Sequence, residues 1–70
     1  MKIELDQIIQ QPTERYPYTH RVKVYIDYAS PEEEQLDTWL KKSGIKYANP
    51  GRGVYYLGPK DTTAFMLRWA

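Results

Sequence analysis

From His20 to Tyr28 the residues alternate between two sides. Val22, Val24, Ile26 and Tyr28 fall on one side of that stretch, and Arg21, Lys23, Tyr25 and Asp27 on the other. A period of two over this length predicts a half-buried strand whose solvated side carries an aromatic between charges. The period then changes. Leu36, Trp39 and Leu40 are spaced i, i+3 and i+4, which puts one apolar stripe on a helix. Its start is marked by Ser30 as cap, Pro31 at the first helical position and Glu33 closing an S-x-x-E capping box. Glu32, Glu33 and Glu34 suit the positive end of the helix dipole, Lys41 and Lys42 the negative end, and Gly44 follows where a left-handed residue is wanted.

Behind this helix two short strands are predicted, at 45–48 and 53–57. They are joined by Asn49-Pro50-Gly51-Arg52-Gly53, which has turn chemistry at almost every position and implies a hairpin. Gly58-Pro59 ends the second strand. Residues 61–70 fit two periods: Phe65 and Trp69 are i, i+4 on a helix, while Phe65, Leu67 and Trp69 also alternate as on a strand. Pro59-Lys60-Asp61 as a start signal, with Asp61 as cap, favours the helix, as do the good helix formers Ala64, Met66, Leu67 and Arg68. At the other end, residues 2–9 read as a strand, with Ile3, Leu5 and Ile8 or Ile9 over the core. The stretch from Gln10 to Thr19, with Pro12 and Pro17, reads as an irregular link.

The order β-α-β-β-α, with an extra N-terminal strand to replace a missing last one, predicts a single α+β domain over 1–70 of the ferredoxin-like sandwich type. A right-handed crossover puts the first helix on one face of the sheet. The opposite face then displays Tyr25 and one side of the hairpin. Trp39, Phe65 and Trp69 are expected to supply much of the small core, each contributing about 2–3 kcal/mol when fully buried.

Composition narrows the chemistry. The 70 residues contain no Cys and one His, which rules out a disulfide framework, a thiol nucleophile and a multi-histidine metal site. No apolar run approaches the ~18 residues of a membrane span, and Met1-Lys2-Ile3-Glu4 does not open a signal peptide, so a cytoplasmic protein is expected, in the host cytoplasm if viral. The net charge of +1 conceals an asymmetry. Acidic residues gather on the first helix, whereas in residues 43–70 Lys46, Arg52, Lys60 and Arg68 are opposed only by Asp61. That basic stretch is interleaved with Tyr47, Tyr55 and Tyr56. It permits a local anionic contact but is far from the basicity of a duplex-DNA binder.

Few residues arrange themselves as a site. His20 has no partner fixed by spacing, Ser30 caps and Ser43 ends a helix, so no nucleophile–base–orienter set emerges and no enzyme, cofactor or metal is expected. The acidic run at 32–34 with Asp37 is accounted for by capping and the dipole, and Gly51 and Gly53 by the backbone needs of a turn, rather than by a cation or anion site. Tyr16-Pro17-Tyr18 lies in the irregular link and is either a protein-contact anchor or a staple folded back over the core.

Two resemblances add to this. Val24-Tyr25-Ile26 and Arg52-Gly53-Val54-Tyr55-Tyr56 resemble the two sheet motifs of RNA-recognition-motif domains, although Val54 stands where an aromatic is usual and Tyr55 where a small residue is. The resemblance implies that Tyr25 and Tyr56 stack on bases while Lys23 and Arg52 meet phosphate. The stretch Tyr55 to Trp69, with its D-x-x-x-F-x-L-R-W pattern, resembles the C-terminus of small tailed-phage proteins. It implies a phage accessory protein that binds and modulates a host or phage macromolecule, an inhibitor among the options, and supports the helical reading of the tail. The leading expectation is therefore a non-enzymatic protein that engages a protein partner through Tyr16, Tyr18, Tyr25 and Tyr56. The alternative is an RNA or single-stranded DNA binder using Lys23, Tyr25, Arg52 and Tyr56. An exposed edge strand leaves a homodimer open.

Overall fold

Val22 and Val24, the first inward residues of the alternating stretch, are both buried at the centre of the molecule. The computed structural model describes residues 2–27 and 30–70. The alternating stretch forms strand β2, His20–Tyr25, preceded by β1, Lys2–Gln7. Helix α1, Pro31–Lys42, leads into β3, Tyr47–Gly51, and β4, Val54–Leu57, and helix α2, Pro59–Trp69, closes the order. The four strands make one antiparallel sheet in the order β1-β2-β4-β3. The class is α+β, as the order of elements predicted.

Register decides which residues share a face. Ile3 lies opposite Val24 and Leu5 opposite Val22, while across β2 Val22 meets Tyr55 and His20 meets Leu57. Of these, Val22, Val24 and Leu57 join Leu36 and Leu40 from α1 and Phe65 from α2 in one core, with Ile3 and Tyr55 packed against it. Both helices therefore lie on the same side of the sheet. Phe65, fully buried, is the hub of the aromatic contacts: the Trp39 ring meets it edge-on at 5.9 Å and Tyr55 lies at 6.3 Å. Trp69 stacks edge-on against Trp39 at 6.0 Å and ties the ends of the two helices together. Trp39 and Trp69 border the core rather than fill it, because both are only half-buried.

The local signals act largely as read. The Ser30 hydroxyl accepts the Glu33 N–H at 3.2 Å, and Pro31 opens the helix. Glu33 turns its carboxylate to Arg52, 3.3 Å away, a link between α1 and the β3–β4 turn. The tail is helical, but its cap is Gly58 rather than Asp61; Pro59 takes the first position, and Asp61 sits inside the first turn. The Thr62 hydroxyl donates back to the Gly58 carbonyl at 2.7 Å.

Three expectations are corrected. Strand β2 ends at Tyr25, opposite Lys2 of β1, and Ile26 and Asp27 are not strand; Tyr28 lies outside the described residues. The hairpin strands are Tyr47–Gly51 and Val54–Leu57 rather than 45–48 and 53–57, so Ile45 and Lys46 precede the first and Gly53 belongs to the turn. Asn49 and Pro50 are taken into β3, the ladder is irregular between Ala48 and Gly51, and the Asn49 amide donates to the carbonyls of Gly51 and Val54 at 2.7 Å each. Strand β1 ends at Gln7, short of Ile8 and Ile9, and neither Leu5, inward by register, nor Ile8 is covered, at 42% and 45% exposure. Two helices are wide enough for three strands here and leave β1 largely bare.

Two glycines have positive φ, both near +76°: Gly44 after α1 and Gly53 in the tight β3–β4 turn. A Cβ at Gly44 meets nothing, whereas one at Gly53 would lie 2.8 Å from the Val24 carbonyl oxygen, which belongs to the neighbouring strand. Gly44→Ala should cost roughly 1 kcal/mol through backbone conformation alone. Gly53→Ala should cost at least about twice that, since it also pushes β4 from β2. Urea denaturation midpoints of the two variants check the order; equal losses would overturn the close approach.

Candidate functional site: the uncovered face of the sheet

The side of the sheet away from the helices has no layer over it among the described residues, and its residues follow from the registers. On it β1 places Lys2, Glu4 and Asp6, β2 places Arg21, Lys23 and Tyr25, β4 places Val54 and Tyr56, and β3 places Ala48 opposite Tyr56. Charges on this face are arranged in opposed pairs: Glu4 lies across from Lys23 and Asp6 across from Arg21. The second pair closes as an ion pair at 2.9 Å. The Arg21 Nε, covered by its neighbours, has no hydrogen-bond partner among the described residues.

Tyr25 is the most open aromatic of the face, at 49% exposure, with the Lys2 ammonium 5.6 Å from its ring centre. Tyr56, half-buried, stands beside Arg21 on the adjoining strand. Val54 lies opposite Lys23, in register between the Arg21–Tyr56 pair and Tyr25. The tyrosines therefore share one face on the two central strands, as the alternation of β2 and the hairpin predicted. Tyr55, the third tyrosine of that stretch, points the other way, into the edge-on contact with Tyr47 at 5.9 Å and onto Phe65.

The remaining candidates are dispersed. The Arg52 guanidinium reaches the first turn of α1 at Glu33, at one end of the sheet, instead of joining Lys23 on the uncovered face. Tyr16 is 64% exposed in a turn where the Thr13 N–H donates to the Tyr16 carbonyl at 3.0 Å and the Tyr16 N–H to the Thr13 hydroxyl at 3.0 Å. Tyr18 is partly covered, and the neighbouring backbone is fixed by the Thr19 N–H donating to the Leu57 carbonyl at 2.9 Å. So the link acts as an anchored loop with one tyrosine displayed and one drawn in. His20 pairs through Nδ1 with the Thr19 hydroxyl at 2.7 Å.

No family model, no curated protein and no solved structure matches this chain. The reading of the site rests on its residues. Among the described residues no group of three His, Asp or Glu side chains is placed to hold a metal ion, and no helix is long and apolar enough to cross a membrane. What sequence reasoning missed is the acidic half of the face. Glu4 and Asp6 belong to the alternating Lys2–Gln7 stretch, and a period of two there, with β1 paired to β2, is enough to set them beside Lys23 and Arg21.

The phenols of Tyr25 and Tyr55 are both shifted upward. Partial desolvation is the main cause for each, followed by the Glu4 carboxylate at Tyr25 and the Asp37 carboxylate at Tyr55. A phenol that holds its proton more tightly in the folded state stabilises the fold below the ordinary tyrosine value of 10.0 and loses that contribution as pH rises through its folded value. Urea midpoints should therefore fall above pH 10 in the native chain, and fall less in Tyr55→Phe, which has no proton to lose there. An identical fall in both would show that Tyr55 plays no part.

Proposed function

We propose that this chain is a non-catalytic binding module, and that it engages a protein partner through the uncovered sheet face centred on Tyr25, Val54 and Tyr56. The observation that carries this is the pairing of acids with bases around two outward tyrosines. Such a face offers aromatic area and a fixed set of donors and acceptors while presenting little net charge, the composition that suits a protein surface. Tyr16 on its anchored loop is a second contact point, and Tyr18 supports the loop. The phage-like C-terminal stretch supports placing the module among accessory proteins that act on a host or phage protein. The unit β2-α1-β3-β4-α2 follows ferredoxin-like order, with β1 in the outer place beside β2 that a last strand would take; this supports a circularly rearranged version of that sandwich.

One observation favours the second reading, an RNA or single-stranded DNA binder: Tyr25, Tyr56, Val54 and Lys23 lie on neighbouring central strands with their side chains on one face. Glu4 and Asp6 beside them, and Arg52 engaged with Glu33, weaken its attraction for phosphate. A single experiment separates the two. The immobilised full chain is exposed to bacterial and phage-infected lysates, and labelled single strands are titrated against it in parallel by fluorescence polarisation. A protein retained by the native chain and reduced about tenfold or more by Tyr25→Ala/Tyr56→Ala is the expected result. Retention that ignores both substitutions overturns the site. Micromolar strand binding that falls with salt and with Tyr25→Ala would decide for nucleic acid.

A further inference from the structure

The sheet has two edges, and they differ. The β3 edge is interrupted: it contains Pro50, its ladder is irregular, and Asn49 ties down the turn. Proline and irregularity are devices that keep an edge from pairing. The β1 edge has neither. Its six residues, Lys2–Gln7, pair in unbroken register with β2 on one side and with nothing described on the other. Beside it on the helix side runs an apolar groove bordered by Leu5 of β1 and by Pro59, Thr63, Met66 and Leu67 of α2. Leu67 is 83% exposed, the most open large apolar residue among those described. A bare strand edge and a bare apolar groove thus adjoin along the same strand.

We propose that the occupant of this edge is a second copy of the chain, with β1 pairing antiparallel to β1 about a twofold axis to make one eight-stranded sheet. The argument for a second copy is that β1 is complementary to itself. Side chains directly opposite each other must share a face, so a symmetric pairing has few registers to choose from. Centred on Glu4, the pairing sets Lys2 opposite Asp6 of the second copy at both ends, and Ile3 opposite Leu5 of the second copy twice on the helix side. Centred on Leu5, it would set Glu4 against Asp6 twice, acid on acid. Centred on Ile3, it would set Lys2 opposite Glu4 twice and Ile3 against itself, pairing only Lys2, Ile3 and Glu4 of each described strand. The Glu4-centred register therefore gathers the most favourable pairs. Its one unfavourable contact is Glu4 against Glu4 on the axis, where Lys2 at 3.9 Å and Lys23 across the strand moderate the repulsion. Continuation of the apolar groove across the axis supplies area that a strand pair alone lacks, since a stable interface needs about 1,000 Å² in total.

The test is sedimentation equilibrium of the full chain over a wide concentration range, with circular dichroism to confirm that each variant is folded. The native chain should reach twice the mass of one chain. Leu5→Lys, a change at a half-exposed position, should weaken self-association by about tenfold or more. Lys2→Glu and Asp6→Lys should each weaken it, by placing acid on acid or base on base, whereas an equimolar mixture of the two should recover a dimer, because only the mixed pair restores opposite charges at both ends. Glu4→Gln should tighten the dimer by about two- to fivefold. A native chain that stays monomeric at high concentration overturns the proposal. So does a dimer that is indifferent to Leu5→Lys and to the charge exchange, which would place the contact elsewhere. Failure of the dimer leaves the tyrosine reading standing, because that reading is tested by Tyr25→Ala/Tyr56→Ala in a separate partner-binding assay, even though Lys2 and Asp6 lie on the same face.

Discussion

Six apolar side chains are fully or almost fully buried among the described residues, and Phe65 is the one that both helices and the sheet have in common. It receives Trp39 from α1 and Tyr55 from β4, while Leu57 and Val22 lie in the same cluster. A chain of 70 residues buries a smaller fraction of its surface than a larger domain does, so a single layer is all it has to spend on stability. Concentrating that layer around one ring on one side of the sheet has two consequences. The opposite side of the sheet has no cover among the described residues, and β1, at the edge, is only partly covered by the helices, through Ile3. Both surfaces discussed above exist because the core is small and one-sided.

How much of this the sequence carries depends on how local each signal is. Helix α1 begins and ends where Ser30, Pro31, Lys42 and Gly44 indicate, because capping, ring geometry and left-handed backbone involve only neighbours. The tail fits a strand period almost as well as a helical one. It is helical because Pro59 opens it and because Phe65 and Trp69, one turn apart, both find Trp39. Features set by distant partners were less accessible. Strand β2 stops at Tyr25, where its described pairing with β1 ends, and β3 extends to Gly51, where the Asn49 side chain bonds across the hairpin to the Val54 carbonyl. The exposure of Leu5 depends on the width of two helices, which no window of residues encodes.

The same distinction separates the parts of the candidate face. Tyr25 and Tyr56 are outward because each sits in a stretch whose period is plain. Arg52 shares the parity of Val54 and Tyr56, yet it lies in a turn, where alternation no longer governs direction, and Glu33 draws it to the helix. Glu4 and Asp6 were legible as strand residues but not as neighbours of Lys23 and Arg21, since that requires knowing that the N-terminal strand lies beside β2 and not on the other edge. The composition of the face, as distinct from its aromatics, is a property of strand order.

The opposed pairs on that face also bear on time. Glu4 across from Lys23 and Asp6 across from Arg21 form short dipoles whose fields cancel within a few ångströms, and the whole chain carries a net charge of only +1. A partner approaching such a surface gains no guidance before contact. Encounter then proceeds by unaided diffusion and rotational search, on the order of 10⁵–10⁶ M⁻¹s⁻¹ and nearly independent of ionic strength. Under the proposed function, tight binding would have to come from slow departure of the partner, with the residence time set by how well the tyrosine rings are enclosed.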